Sequence, residues 1–218
     1  MVNILVFGAS TTYGAWDSEG GWVNRLRKYI DQKIIESKFE IDYLIYNLGI
    51  SGDKTGDLFK RFEVETEARK GKHGEEVVIL FHIGINDCIY NESMGRVEVS
   101  GDDFRKNLVK LVEMAKIYSK KIVIIGSMPV DSRVSPIPWA PGRYYKNEYV
   151  EEYNGILKDV AESERVEFLE IFKEFINKDY SSLLSDGVHM NDEGHRLMYE
   201  RVRDYLEDKE IIDLKVEG

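Results

Sequence analysis

Ser10, Asp186 and His189 are residue types that together can run nucleophilic catalysis. A serine hydroxyl is a weak nucleophile until a base within hydrogen-bond reach takes its proton. Neutral imidazole is the natural base near pH 7. The run Asp186-Gly-Val-His189 puts a carboxylate three positions upstream, where it can hold the ring's other N–H. Attack on a carbonyl also builds an oxyanion, which needs preorganised donors. The backbone N–H groups of Ser10 and Gly52 and the side-chain amide of Asn86 are candidates for that role. No single piece is specific, because an Asp-x-x-His or a serine beside a glycine arises easily by chance. Their weight comes from falling, in order, just beyond apolar runs.

Those runs alternate with amphipathic segments. Ile4 to Gly8 predicts a first strand, and Trp22, Val23, Leu26, Ile30 and Ile34 recur near a 3.6 period, predicting a helix over about 19–37. Ile41 to Leu48 reads as a strand and Thr55 to Arg69 as a helix with a short apolar face. Val77 to Ile83 is continuous and rich in β-branched residues, as suits a strand covered on both faces. A helix through Phe104, Leu108, Leu111, Val112 and Ala115 precedes a strand over Ile122 to Ile125. A helix through Tyr149, Tyr153, Ile156, Leu157 and Val160 precedes a short strand over Val166 to Leu169. The last helix starts at Asn191, a good N-cap followed by Asp192 and Glu193. Strand–helix alternation predicts an α/β protein with a parallel sheet and helices on both faces. Sites in such sheets lie beyond the carboxyl ends of the strands, where the residues named above fall.

Composition closes other routes. Length favours one domain over residues 1–218. With 30 basic against 40 acidic residues the net charge is −10, which disfavours a nucleic-acid partner. The lone Cys88 allows neither an internal disulfide nor a multi-cysteine zinc site, and no other cluster has metal-ligand spacing. Gly8-x-Ser10-x-x-x-Gly14 is not a dinucleotide fingerprint, and no lysine follows a glycine loop, so no cofactor is expected. No apolar run is long enough for a membrane span, and Met1 to Phe7 reads as a strand rather than a leader, so the expected location is cytoplasmic.

Gly8-Ala-Ser10, Gly52 within Asn47-Leu-Gly-Ile-Ser-Gly52, Gly84-Ile-Asn86-Asp87 and Asp186-Gly-Val-His189 resemble the four blocks of the GDSL, or SGNH, hydrolase family. The blocks run from residue 8 to 195, so the resemblance spans nearly the whole chain. It implies a flavodoxin-like, three-layer α/β/α hydrolase domain with a five-stranded parallel sheet. It implies Ser10 as nucleophile, His189 as base, Asp186 as its orienter, and Ser10, Gly52 and Asn86 as oxyanion donors. The chain departs from the pattern at Ala9, where the family has aspartate, at Thr11, where it has leucine, and at Met190, where it often has proline. Ala9 removes a carboxylate beside the nucleophile. The expected activity is hydrolysis of small soluble acyl or acetyl esters, including acetylated carbohydrate. The alternatives are acyl transfer by the same triad and a catalytically silent binding module.

Tyr13 and Trp16 follow the nucleophile and are candidates to line the pocket, as are Trp139 and Tyr144 in the aromatic segment after the fourth strand. All four prolines lie between Pro129 and Pro141, so that segment is either a stiff surface loop or a pocket wall. His82, inside a strand, reads as a buried structural histidine, His195 as a packing or capping residue and Asp87 as structural.

Overall fold

The computed structural model describes residues 1–134 and 140–214. Its main sheet is built from β1 (Val2–Gly8), β2 (Tyr43–Gly49), β3 (Glu76–His82), β6 (Lys121–Ile125) and β8 (Glu167–Leu169). The spatial order is β2-β1-β3-β6-β8, with every pairing parallel. That is the flavodoxin-like order, and its switch point lies between β1 and β3.

The apolar runs explain the layers. Side chains alternate across a strand. Leu5, Phe7, Ile79, Phe81, Ile122 and Ile124 point to one face of the sheet, where α3 (Thr55–Arg69), α4 (Gly101–Tyr118) and α5 (Asn147–Glu164) cover them. Ile4, Val6, Val78, Leu80, Val123 and Ile125 point to the other, against α2 (Gly21–Glu36) and α7 (Asp192–Asp208). Each covering helix contributes the stripe read from its period: Trp22, Val23, Leu26 and Ile30 from α2, and Met198, Val202 and Leu206 from α7. Asn191 caps α7, its side chain accepting from Gly194 N–H at 3.0 Å.

Two local readings shift. The strand expected over 41–48 begins only at Tyr43, because Lys38 and Phe39 take left-handed backbone (φ 55° and 68°) and turn the chain after α2. The proline-bearing excursion after β6 is partly regular. Its β7 (Arg143–Tyr144) pairs antiparallel with β4 (Tyr90–Asn91), which pairs with β5 (Arg96–Val97), forming a small second sheet. Short helices α1 (Ser10–Tyr13) and α6 (Phe172–Phe175) and two 3-10 turns, Ser132–Val134 and Ser181–Leu183, complete the order among the described residues.

Candidate active site

Register sets the site. Gly8 of β1 lies level with Gly49 of β2 and His82 of β3. Ser10, Gly52 and Asn86 follow those three residues by two, three and four positions, so all three emerge from one edge of the sheet at the switch point. Gly8 is required by close approach: a Cβ there would lie 2.0 Å from Thr12 Oγ1 and 2.4 Å from the His82 carbonyl oxygen. The bare backbone lets α1 sit directly on the strand ends, with Ser10 as its first residue.

Ser10 Oγ lies 2.9 Å from His189 Nε2, and His189 Nδ1 lies 2.7 Å from Asp186 Oδ2. An ionised carboxylate only accepts, so the neutral ring carries its proton on Nδ1 and Nε2 accepts from the serine hydroxyl. Asp186 Oδ1 accepts from the backbone N–H groups of Val188 and His189 at 2.9 and 2.8 Å. Burial alone would raise the Asp186 carboxyl. The His189 side chain and those two backbone donors outweigh it and bring its pKa down to about 2. Asp186 is therefore ionised at neutral pH.

Asn86 is buried and held in one orientation. Its Nδ2 donates to the Asp53 carbonyl at 3.0 Å, while its Oδ1 accepts from Tyr145 O–H at 3.1 Å. Nδ2 carries a second N–H. Asp53 follows Gly52, whose φ of +85° makes the turn after β2. Arg61 locks that turn to β1, donating from Nε to Asp53 Oδ2 at 2.8 Å and from Nη2 to the Gly8 carbonyl at 3.2 Å. Asp87 is structural, as expected: it caps α3 by accepting from Thr55 N–H and Thr55 O–H, the latter at 2.6 Å. Burial nevertheless pushes its pKa up to about 6 against those hydrogen bonds.

The other two histidines of this region hold the frame. His82 is fully enclosed, with Nδ1 3.3 Å from Thr12 Oγ1 and its ring edge-on to Trp22. Burial pulls its pKa down to about 4, with the nearby His195 contributing. His195 Nδ1 accepts from Trp22 N–H at 3.2 Å and its Nε2 donates to the Ala15 carbonyl at 3.1 Å. It therefore joins α7 to the loop after the nucleophile, in the packing role read from its position.

Of the aromatic candidates, Tyr13 is 62% exposed and Trp16 60% exposed. Trp16 does more than line a wall, since its Nε1–H donates to Asp186 Oδ2 at 2.6 Å. Tyr144 belongs to the small sheet and donates to Glu92 at 3.2 Å. Its neighbour Tyr145, just beyond β7, is the residue turned inward to Asn86, a role the sequence reading missed. Trp139 lies outside the described residues.

The model of the GDSL-like lipase/acylhydrolase family matches residues 6–197. The chain belongs to that family and is a carboxylic ester hydrolase. Among solved structures it is similar to a lipase/acylhydrolase from Enterococcus faecalis, with a TM-score of 0.72, 23% identity, and coverage of 99% of this chain and 100% of that one. It is also similar to the acetyl xylan esterase AlAXEase, with a TM-score of 0.71, 18% identity, and coverage of 94% and 99%. At these identities the likeness concerns the fold. By sequence it is 28% identical, over 93% of its length and 88% of the relative's, to a Bacillus subtilis (strain 168) protein named as the uncharacterized lipoprotein YqeF. That relative lends no support to a cytoplasmic location.

Proposed function

We propose that the chain hydrolyses small neutral carboxylic esters, acetylated carbohydrate among them, through an acyl-enzyme on Ser10. The observation that carries this is the hydrogen-bonded chain Ser10–His189–Asp186, with links of 2.9 and 2.7 Å. Ser10 Oγ attacks the acyl carbon as His189 Nε2 takes its proton. The Ser10 N–H is a free donor by position, since the first N–H groups of a helix have no partner within it. With the Gly52 N–H and Asn86 Nδ2 it receives the oxyanion. His189 then returns the proton to the leaving alcohol, and the same ring activates water to release the acid. Asp186 keeps the ring in the required tautomer and stabilises the imidazolium.

One observation on the site supports a sugar-like alcohol. Tyr13 and Trp16 present exposed rings close to the nucleophile, and such flat apolar faces suit the C–H faces of a sugar. Acetylxylan esterases among the structures of similar fold point the same way.

The test is a panel of chromogenic esters of rising acyl length, run beside acetylated xylo-oligosaccharides. Turnover should be highest for acetyl and fall as the acyl chain lengthens. A preference for long acyl chains would overturn the substrate reading. Adding a sugar alcohol and measuring the ratio of transfer product to acid tests the acyltransferase alternative.

A further inference from the structure

The loop between α1 and α2 holds one feature the family chemistry does not require. Trp16 has φ of 69°, a left-handed backbone that a bulky residue seldom adopts. Strain of this kind persists only where the surroundings over-determine it, and here both flanks are tied down. On one side Ala15 donates its N–H to the Ser10 carbonyl at 3.0 Å, and its own carbonyl accepts from His195. On the other side Asp17 is held by Arg25 at 2.7 Å and accepts from Gly21 N–H at 2.7 Å. Ser18, one residue further on, donates its N–H and O–H to Asp192 at 2.8 and 2.6 Å.

The result of this anchoring is an aimed indole. Trp16 Nε1–H donates to Asp186 Oδ2, the same oxygen that faces His189 Nδ1. The indole also stands edge-on to the His189 ring, with centroids 5.7 Å apart and planes at 80°. Asp186 thus accepts from four donors: two backbone N–H groups on Oδ1, and an imidazole and an indole on Oδ2.

We propose that Trp16 is a positioning residue for the acid–base pair, its N–H fixing the Asp186 carboxylate and its ring fixing the plane of His189. The inference rests on the reading of Ser10, His189 and Asp186 as the triad. It explains why an exposed tryptophan is held in a strained backbone 170 residues away in sequence from the group it touches. It also assigns the loop's anchors a purpose, since Arg25, His195 and Asp192 hold Asp17, Ala15 and Ser18 around Trp16. Among the described residues Tyr145 is a further titratable group near the pair, its hydroxyl feeling the Asp186 charge.

The decisive variant is Trp16→Phe, which keeps a ring and removes the N–H. Without that donor Asp186 Oδ2 is a stronger acceptor for the imidazolium, so the acid limb of kcat/KM should move to higher pH, by about 0.5 unit. Looser alignment should lower kcat roughly tenfold, while KM for a small acetyl ester stays within about twofold. In wild-type protein labelled with 15N-tryptophan, the assigned Trp16 indole signal should titrate with the midpoint of that limb, a readout that needs no variant to fold. Wild-type kcat and limb in Trp16→Phe, a change confined to KM, or an indole signal flat with pH would each overturn the proposal. Activity surviving in Ser10→Ala would instead overturn the triad reading on which it rests.

Discussion

Ser10, Gly52 and Asn86 leave three adjacent strands from one line of register, whereas Asp186 and His189 leave no strand at all. The first group inherits its spacing from a sheet whose central residues are completely buried, Ile4 to Phe7 and Val78 to Leu80 among them. The second sits in a loop closed by local hydrogen bonds. Leu184 and Met190 form an isolated antiparallel bridge, Ser185 donates its N–H to the His189 carbonyl at 2.8 Å, and Asn191 Nδ2 donates to the Ser182 carbonyl at 2.8 Å. A further bond, from Asp131 N–H to the Gly187 carbonyl at 2.8 Å, leans that loop on the excursion after β6. The proposed oxyanion side is thus positioned by the core, and the proposed acid–base side by side-chain ties such as Trp16 to Asp186. That division predicts where the site tolerates change: the first side should fail in chemistry only, and the second in chemistry together with local order.

The largest effect should come from Asp186→Asn. The amide keeps the shape but favours the wrong imidazole tautomer, so kcat should fall by about 10⁴. A loss below tenfold in steady-state kinetics would mean that the loop holds His189 without the carboxylate. Asn86→Ala comes next. Removing one oxyanion donor costs about 10²–10³ in kcat, and the strand register, which does not depend on it, should leave the β1 and β3 ends protected from amide exchange. A large fall in KM-normalised binding with kcat preserved would break the assignment of Asn86 to the oxyanion.

Two smaller effects separate the sides by stability. Asn191→Ala removes the α7 cap and the tie to Ser182 together and should cost about 1 kcal/mol in denaturant unfolding. It should also raise amide hydrogen exchange in the loop 182–191 while leaving the β1 and β3 ends protected. Equal loss of protection at both places would erase the contrast. The second concerns protons at the end of β3. His82 faces the α2–α7 layer with its folded pKa near 4, below that of a free imidazole. Between about pH 6.5 and 4 the unfolded chain binds a proton there that the folded chain refuses, so stability falls as pH falls. Asp87 caps α3 on the opposite layer with its folded pKa near 6, above that of a free carboxyl. Over about pH 6 to 4 the folded chain binds the extra proton, so stability rises as pH falls. The two contributions oppose. Asp87→Asn should therefore unmask the His82 term, and its urea midpoint should drop between pH 7 and 4.5 more steeply than the wild-type midpoint does. Parallel curves would show that the two layers do not carry these opposite linkages.

The strand-borne side was also the more legible in sequence. Continuous runs rich in β-branched residues suit strands covered on both faces, and the helix read over Thr55 to about Arg69 is α3 (Thr55–Arg69). Asn191 with Asp192 and Glu193 marked the start of α7 by cap chemistry alone. The small sheet gave no signal, because two-residue strands such as Tyr90–Asn91 and Arg96–Val97 are too short to show a period. Helix α1 is a single turn and α6 spans only Phe172–Phe175, so neither carries a periodic stripe. The contact of Trp16 with Asp186 joins residues far apart in the chain, and no local pattern around Ser10 encodes it. Tyr145, set in a tyrosine pair, could be placed near the site but not assigned to Asn86 until the excursion's own pairing with β4 fixed which ring points inward.

The central claim is that this chain cleaves esters by a covalent acyl-enzyme on Ser10. The most direct measurement is reaction with an organophosphonate, followed by mass-spectrometric mapping of the adduct and assay of residual esterase activity. One adduct per chain is expected, located on Ser10, with loss of activity in proportion to labelling and no adduct in Ser10→Ala. Labelling at another residue in step with inactivation, or full esterase activity in Ser10→Ala, would contradict it.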